Sequence, residues 1–526
     1  MQDIERIEAL RGPMLVLYGA EALGGVVNII TRAPGERWAL RTLAEGAWAD
    51  AGLGGDGHRA AVSVDGPLAP GWRLAASASD GRRQAIASPA DARISDLEGR
   101  DKWDGALRLV WTPTPGHELS VEHRQGQEDR WAGVKKRNGQ RRFFQSLTGI
   151  ERSHSALGWQ ADWGGAAALR SQLRAYSSHL GMDNLRTQGV AGLRPNVLYD
   201  RVLDDRVLDG QASAEAGRGR LFTAGFEWRD EQLRNGGLVG GQARARHAAL
   251  FGQAELALAP ALALAVTAGQ RHDHHDRFGS VWSPRLYAVW RPASHWVIKG
   301  GHGRGFEAPT LKQIAPGYQE DEGPYTYFSN PALRPETNDA WHIGAGWDTA
   351  AWGLQPTLFH NRVNDLVVPR LTGTLAGRGQ YVFDKLDSAV FKGLELGSRA
   401  GLPMGFRVEA NATWLSAVDG SGQRLEKRPR QLLMLQLGWQ QAPWRAGLRA
   451  EHHAGQLIAS SVVGQAPLPL PDLTRLSAQV SRQFGPHWQA TLGVDKLGQL
   501  NLADTLPLFT WAELPRTWRL SLRSQW

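Results

Sequence analysis

The stretch "FRVEANATW", residues 406–414, alternates apolar and polar side chains along its whole length. Its apolar positions are Phe406, Val408, Ala410, Ala412 and Trp414, and its polar positions are Arg407, Glu409, Asn411 and Thr413. A β-strand points successive side chains to opposite faces. The stretch is therefore predicted to be a strand with one apolar face and one polar face.

The same period of two recurs through the chain. It is seen in "WALRTLAEGAW" (38–48), "ALRSQLRAY" (168–176), "RLFTAGFEWR" (220–229) and "WRLSLRSQW" (518–526). Strands of a soluble β-sandwich alternate as well. Here, however, the apolar face often begins and ends in Trp or Phe, and the polar face is repeatedly charged. Both features favour a transmembrane barrel, which has an apolar outer band between aromatic girdles and a wet interior.

Composition excludes several other classes of protein. The chain has 526 residues, no Cys and a formal net charge of +8, and 42% of its residues are hydrophobic. A disulfide framework and thiolate metal sites are excluded. The positive charge favours an anionic partner, but the basic residues are spread along the chain, so we expect no nucleic-acid partner. The most apolar run, residues 256–269, is too short for a membrane-spanning helix and contains Pro260.

Short turns rich in Pro and Gly alternate with longer polar connections, which gives a strand count. The short turns lie at 69–71, 114–116, 164–166, 217–219, 259–261, 292–294, 350–353, 402–405, 441–443 and 485–487. Ten short turns separate eleven hairpins, which predicts 22 strands. The longest connections are predicted near 126–148, 179–205, 305–336 and 455–471. The predicted fold is all-β, a 22-stranded transmembrane antiparallel β-barrel of the size that holds a plug.

Two blocks at the start of the chain, "IERIEALRGP" (4–13) and "LYGAEALGGVVNIITR" (17–32), resemble the end of the plug domain of TonB-dependent outer-membrane receptors. "GRGFEAPTLKQ" (303–313) followed by "NPALRPETNDAWHIGAGW" (330–347) is similar to the barrel signature of that family. Within the family, the plug blocks look like those of ferric catecholate receptors such as the colicin I receptor group. Vitamin B12 (cobalamin) receptors have a similar plug ending.

The resemblance implies a C-terminal remnant of the plug domain at residues 1–36 and a barrel domain at 37–526. It implies import of a ferric siderophore of the catecholate type across the bacterial outer membrane, with energy from the TonB–ExbB–ExbD complex. Signal peptide, TonB box and most of the plug are expected to be absent from this chain. The barrel is expected to be a monomer surrounded by outer-membrane lipid and lipopolysaccharide. A receptor for cobalamin or another substrate and a passive porin-like barrel are the alternatives.

The resemblance also suggests where plug and barrel meet. Glu5, Arg6 and Arg11 are candidates for ion pairs with the barrel wall, where Glu227 and Glu255 are the candidate partners. A buried charge needs such a partner. The alternative is that these charges are solvated on a surface strand.

A candidate ligand-binding loop lies at 126–148. Its basic residues are Arg130, Lys135, Lys136, Arg137, Arg141 and Arg142, and Phe143 and Phe144 follow them. Guanidinium groups and aromatic faces suit an anionic, partly aromatic ferric chelate. The alternative is that the basic side chains face solvent or the phosphates of lipopolysaccharide.

Signals for catalysis and for metal binding fail their context tests. The histidines of "HDHHD" (272–276) alternate between two strand faces, so they are not expected to converge on a metal ion. "GGHGRG" (300–305) is not followed by a helix, as a phosphate-binding loop requires. Nucleophile elbow, zincin and Walker motifs are absent from the sequence. We therefore predict no catalytic residue, no cofactor, no metal site and no enzyme activity.

Overall fold

The computed structural model describes residues 4–11, 16, 19, 24–50, 52–135, 143–187, 193–195, 200–217, 219–259, 263–322, 325–375, 378–458, 465–498, 502, 506 and 513–526. β-Strands make up 78% of this part of the chain. Its one α-helix with described bounds is the single turn α1 (Leu311–Ile314). Within these ranges, no helix is both long enough and apolar enough to cross a membrane.

Antiparallel strands form one closed barrel. In chain order they are β3 (Ala39–Ala49), β4 (Gly57–Ala69), β5 (Trp72–Arg83), β8 (Gly99–Thr114), β9 (His117–Lys135), β10 (Phe143–Gly164), β11 (Leu169–Thr187), β13 (Arg201–Glu215), β14 (Arg220–Asn235), β15 (Gln242–Ala259), β16 (Leu264–His275), β17 (Gly279–Ala293), β18 (Trp296–Glu307), β21 (Glu336–Asp348), β22 (Trp352–Leu375), β23 (Arg378–Gly401), β24 (Phe406–Asp419), β25 (Gln431–Gln441), β26 (Trp444–Ala454), β29 (Leu473–Phe484), β30 (Trp488–Asp495) and β31 (Thr517–Gln525).

Smaller strands decorate this barrel. They are β1 (Ile4–Arg11), β2 (Gly25–Thr31), β6 (Ile86–Ser88), β7 (Asp91–Leu97), β12 (Leu193–Pro195), β19 (Gln319–Glu322), β20 (Tyr325–Phe328), β27 (Leu457–Ile458) and β28 (Leu468–Pro469). β1 pairs with β2 in a separate hairpin, and the barrel begins only at β3. The division into a plug remnant and a barrel domain near residue 36 stays a prediction.

The strand count and the turns confirm the sequence prediction. Each barrel strand pairs with the next in chain order, and β31 closes the ring on β3 with Trp518 opposite Trp48. The ring has 22 strands. All ten predicted short turns fall between consecutive paired strands, as between β4 and β5 or between β29 and β30. Short turns mark the periplasmic end of such barrels, and long loops mark the outer end.

The predicted long connections differ from the structure in how much of them is strand. β9 and β10 continue through most of 126–148, up to Lys135 and from Phe143. β11 and β13 likewise extend far into 179–205. Two antiparallel strands that leave the membrane side by side keep satisfying each other's backbone groups, so polar composition alone does not end the ladder.

Large apolar side chains on the outer face form a band between two aromatic girdles. Three strands each carry two exposed aromatic residues eight positions apart, namely Trp103 and Trp111, Trp282 and Trp290, and Phe406 and Trp414. Trp518 in β31 and Trp526 directly after it have the same spacing. Eight strand residues span about 27 Å, or about 20 Å along the normal at the usual strand tilt. This height suits the hydrocarbon core of an outer membrane.

The lumen face is rich in ion pairs. Nitrogen–oxygen distances are 2.7 Å for Arg73–Glu118, 2.9 Å for Arg229–Asp205 and 2.8 Å for Arg271–Asp273. The barrel thus has the inverted polarity expected of a chain that faces lipid outside and water inside.

Leu520→Arg should destabilise the barrel by about 2–4 kcal/mol, because it places a charge on the lipid face near the middle of the apolar band. Leu520 is 49% exposed and lies opposite Gly46 and Leu492. Gln479→Arg, on the lumen face of nearby β29, is the matched control and should change stability little. Chemical unfolding in lipid vesicles measures both, and equal losses would contradict the assigned lipid face.

Candidate functional site

Three arginines lie directly opposite one another on the inner face of the outer barrel end. Arg83, Arg100 and Arg130, on β5, β8 and β9, are Cα partners in the ladder. They are called the arginine row. Like charges placed directly opposite on neighbouring strands repel each other. The row therefore creates a positive potential at this wall that an anion would relieve.

Carboxylates compensate the row only in part. Arg130 donates to Glu128 at 2.7 Å and lies 3.8 Å from Glu98. Arg152, on β10, donates to the same Glu128 at 2.5 Å. Glu128 is buried and shared between two arginines, so this part of the wall keeps a positive charge.

Arg186 adds a guanidinium beside the row. It donates to the side-chain oxygen of Asn184 at 3.0 Å, and its guanidinium carbon lies 5.4 Å from the ring centre of Phe144. A luminal cavity of about 1090 Å³ lies below, lined among others by Arg83, Arg100 and Arg152 of the wall and by Ile4 and Ile29 of the β1–β2 hairpin. The wall next to this cavity is thus cationic with an aromatic edge.

The described residues between β18 and β21, 308–322 and 325–335, form a strap across the outer end of the barrel. Near β13, Glu320 of the strap accepts from Arg201 at 2.7 Å and from Lys312 at 3.0 Å. Leu311 and Tyr318 of the strap pack in an apolar cluster with Leu233, Leu238, Ala245 and Ala315. Since Arg201, Leu233 and Ala245 belong to the inner faces of their strands, the strap lies on the lumen side.

The far end of the strap is held by backbone pairing. β20 adds in parallel to the upper edge of β23, with Tyr327 opposite Tyr381. Arg378 lies 3.2 Å from Asp321 and donates to the carbonyl of Tyr325 at 2.6 Å. The strap therefore links the tops of β13–β15 to the top of β23.

Aromatic rings gather where the strap meets β23. Tyr327 stacks on Tyr381 and on Phe383 with ring centres 5.3 and 5.8 Å apart, and Tyr325 meets Tyr381 edge-on at 5.2 Å. Burial raises the pKa of Tyr327 to about 12. This phenol stays neutral at physiological pH, so it offers a hydrogen-bond donor and an apolar face.

The predicted ligand-binding loop is divided between two faces. Arg130 and Phe144 point to the lumen, as their ladder partners do, whereas Lys135 and Phe143 lie on the outer face. On the outer face, the guanidinium of Arg93 lies 3.7 Å from the ring centre of Phe143, and the ammonium of Lys135 lies 5.7 Å from it. Lys136, Arg137, Arg141 and Arg142 lie outside the described residues.

Glu5, Arg6 and Glu255, which were predicted to join plug and barrel, have their described partners within their own hairpin or strand. Glu5 and Glu8 both pair with Arg6 within the hairpin, at 2.8 and 2.7 Å. The side chain of Arg11 lies outside the described residues. Glu255 accepts from its strand neighbour Gln253 at 3.0 Å.

Glu227 lies where the segment between β1 and β2 meets the wall. It is 3.4 Å from both Arg271 and His247. Gly19, at φ +86°, is buried against this pair: a Cβ there would come within 3.6 Å of Glu227 and 3.5 Å of Arg271. Nearby Val16 packs on Gly269. The described contact with the wall thus uses backbone and a small apolar side chain.

Arg83, Arg100, Arg152, Arg186 and Arg201 were not singled out by sequence reasoning. Alternation could have placed each on a lumen face. The sequence does not show that Arg83 and Arg100 lie opposite each other, because the segment that contains β6 and β7 separates them along the chain. The histidine-rich segment does not gather a metal site: within the described ranges no group of three or more His, Cys, Asp or Glu side chains could hold a metal ion.

Comparisons with known proteins agree with this architecture. The family model described as TonB dependent receptor-like, beta-barrel matches residues 71–502. The iron-regulated outer membrane virulence protein of Vibrio cholerae is 27% identical over 468 residues, which cover 84% of this chain and 67% of that protein. The ferric enterobactin receptor PirA of Pseudomonas aeruginosa is 26% identical over 547 residues, which cover 92% of this chain and 71% of that protein.

Solved structures share the fold. The siderophore receptor PirA from Acinetobacter baumannii superposes with a TM-score of 0.83 at 19% identity, and the match covers 100% of this chain and 85% of that one. At this identity the likeness concerns the fold alone.

Proposed function

Because this chain belongs to the family of TonB-dependent receptors, whose barrels lie in the outer membrane, we propose that it imports an anionic ferric siderophore of the catecholate class. The arginine row is the observation that carries the proposal. Three opposed guanidinium groups at the entrance to the lumen are costly without an anion. Catecholate complexes of ferric iron bear negative charge and aromatic rings. The outer end of the barrel offers arginines to the charge and aromatic side chains to the rings.

The aromatic part of the mouth supports the same class of ligand. Phe144 lies beside Arg186, and Tyr325, Tyr327, Tyr381 and Phe383 cluster at the strap. Rings of this kind can stack on catechol groups, while guanidinium forks bind the charged oxygens. A receptor for a neutral substrate would have no use for opposed arginines.

Energy for transport is proposed to come from TonB with ExbB and ExbD in the inner membrane, through the plug. Lipopolysaccharide is proposed to surround the outer part of the barrel, and the receptor to act as a monomer. It carries out no covalent chemistry in this proposal, in keeping with a family of transporters and receptors.

A binding comparison tests the ligand class. The purified chain should bind an anionic ferric tris-catecholate at least about ten-fold more tightly than a neutral ferric hydroxamate of similar size, a difference of about 1.4 kcal/mol. Fluorescence quenching of the tryptophans measures both affinities. Cobalamin binding that equals or exceeds catecholate binding would favour the vitamin B12 alternative. Catecholate uptake by whole cells that persists without TonB would favour a passive barrel.

A further inference from the structure

Two rows of Arg, Asp and Arg cross the outer face of the barrel on neighbouring strands. In the first row Asp230 on β14 lies between Arg206 on β13 and Arg246 on β15 as their Cα partner. In the second row Asp339 on β21 lies between Arg304 on β18 and Arg362 on β22. These are called the first and second Arg–Asp–Arg rows, and all four row arginines are exposed.

Both rows stand at the same height, directly above the outer aromatic girdle. Asp230 is two residues from Trp228 on the same face, and Asp339 is two residues from Trp341. Trp228 is 41% exposed and Trp341 58% exposed. Side chains on this face alternate with those of the lumen, so the rows point toward the membrane at the level of the lipid headgroups.

The row arginines are poorly compensated. Asp230 accepts a hydrogen bond of 2.6 Å from Arg244, a further arginine on the outer face. Asp339 has His302 at 3.8 Å as its ion-pair partner. Within the described ranges, no carboxylate lies within ion-pair distance of Arg206, Arg246, Arg304 or Arg362. Two arginines and one aspartate leave each row with a net positive charge.

Two lumen-facing arginines at similar heights behave differently. Arg229, one residue from Asp230 but on the inner face, pairs with Asp205 at 2.9 Å. Arg201 pairs with Glu320 at 2.7 Å. Both of these inner arginines have carboxylate partners, whereas the four row arginines have none within ion-pair distance among the described residues. An anion from the membrane can fill that role.

We propose that the two Arg–Asp–Arg rows bind the phosphate groups of a phosphorylated glycolipid in the outer leaflet. The guanidinium fork matches phosphate geometry and forms two charge-assisted hydrogen bonds at once. The row arginines are two strand spacings apart, about 10 Å, which leaves room for one phosphate between their side chains. The central aspartate limits repulsion between its neighbours without cancelling their charge.

A further cation, Lys392, lies just below the second row. Lys392 on β23 is exposed and lies opposite His360, and His360 lies opposite Trp341. The apolar side chains of Ile343 and Leu358 follow directly below, 57% exposed each. The acyl chains of a lipid whose headgroup binds the row would thus lie along this apolar surface. The inference rests on the outer-membrane location of the barrel and on the lipopolysaccharide contact proposed above, and it is independent of the import function.

The test is native mass spectrometry of the purified full chain with a bis-phosphorylated glycolipid, with the same glycolipid after removal of its phosphates, and with phosphatidylglycerol. Arg304→Gln combined with Arg362→Gln should weaken binding of the phosphorylated glycolipid about ten-fold, because hydrogen bonds to charged groups are lost. Arg206→Gln combined with Arg246→Gln should act in the same way. Neither pair should alter binding of the dephosphorylated lipid.

Arg399→Gln combined with Arg407→Gln is the matched control. It removes the same charge from lumen-facing arginines that pair with Asp348 and Glu409, and it should leave lipid binding unchanged. Arg304→Lys combined with Arg362→Lys keeps the charge and should retain part of the binding, which decides the matter if the Gln variant does not fold. Unchanged binding by the row variants would overturn the proposal. So would equal binding of the dephosphorylated glycolipid or of phosphatidylglycerol by the unaltered chain.

Discussion

Asp273→Ala should destabilise the barrel by about 3–5 kcal/mol, because it removes the nearest partner of a buried guanidinium. Asp273 and Arg271 are each 1% exposed, and the guanidinium of Arg271 donates to Asp273 at 2.8 Å. His247 lies 2.8 Å from the same carboxylate. In the variant, Glu227, 3.4 Å away, would be the one carboxylate left beside the arginine among the described residues. Chemical unfolding of the purified barrel in detergent measures the loss.

Two further variants separate burial from charge. Asp348→Ala removes a carboxylate from Arg399 in a pair whose side chains are 45% and 50% exposed, and should cost no more than about 1 kcal/mol. Arg271→Met combined with Asp273→Leu removes both charges and should recover most of the stability lost in Asp273→Ala. If Asp273→Ala and Asp348→Ala unfold alike, the wall pair is not buried as the structure has it.

Neutralisation of the arginine row, Arg83→Gln with Arg100→Gln and Arg130→Gln, should slow association of an anionic ferric chelate about ten-fold at low ionic strength. Glu128 keeps its bond to Arg152 in this variant, so no buried carboxylate is stranded. The effect should shrink as salt rises, since exposed charges are screened beyond about 8 Å at physiological ionic strength. Stopped-flow binding at two salt concentrations measures it.

Phe144→Ala provides the contrasting change. A ring that packs on a bound ligand acts mainly on the dissociation rate, so this variant should release the chelate faster at nearly unchanged association. The charge-matched control is Arg399→Gln with Arg407→Gln and Arg449→Gln, whose arginines pair with carboxylates elsewhere on the lumen face. An association rate in low salt that is the same for the row variant and the control would show that the row does not steer the ligand.

The sequence by itself determined the lipid and lumen faces and the number of strands. A side chain in a strand alternates strictly, so Trp518, Leu520 and Trp526 had to share one face once the segment was a strand. Turn composition is equally local. Pro or Gly occurs at every short periplasmic turn, and the number of these turns gives the number of strands. These properties depend on neighbours along the chain, which one sequence displays directly.

Only the tertiary structure decided which charges meet. Arg201 and Glu320 are 119 residues apart, and their pairing requires a strap that crosses the barrel end. The arginine row exists because β8, after the segment that contains β6 and β7, pairs with β5 in the register that places Arg100 opposite Arg83. Register and loop path follow from ring closure and packing over the whole molecule. Alternation says which face a charge is on, and the closed barrel says what it faces there.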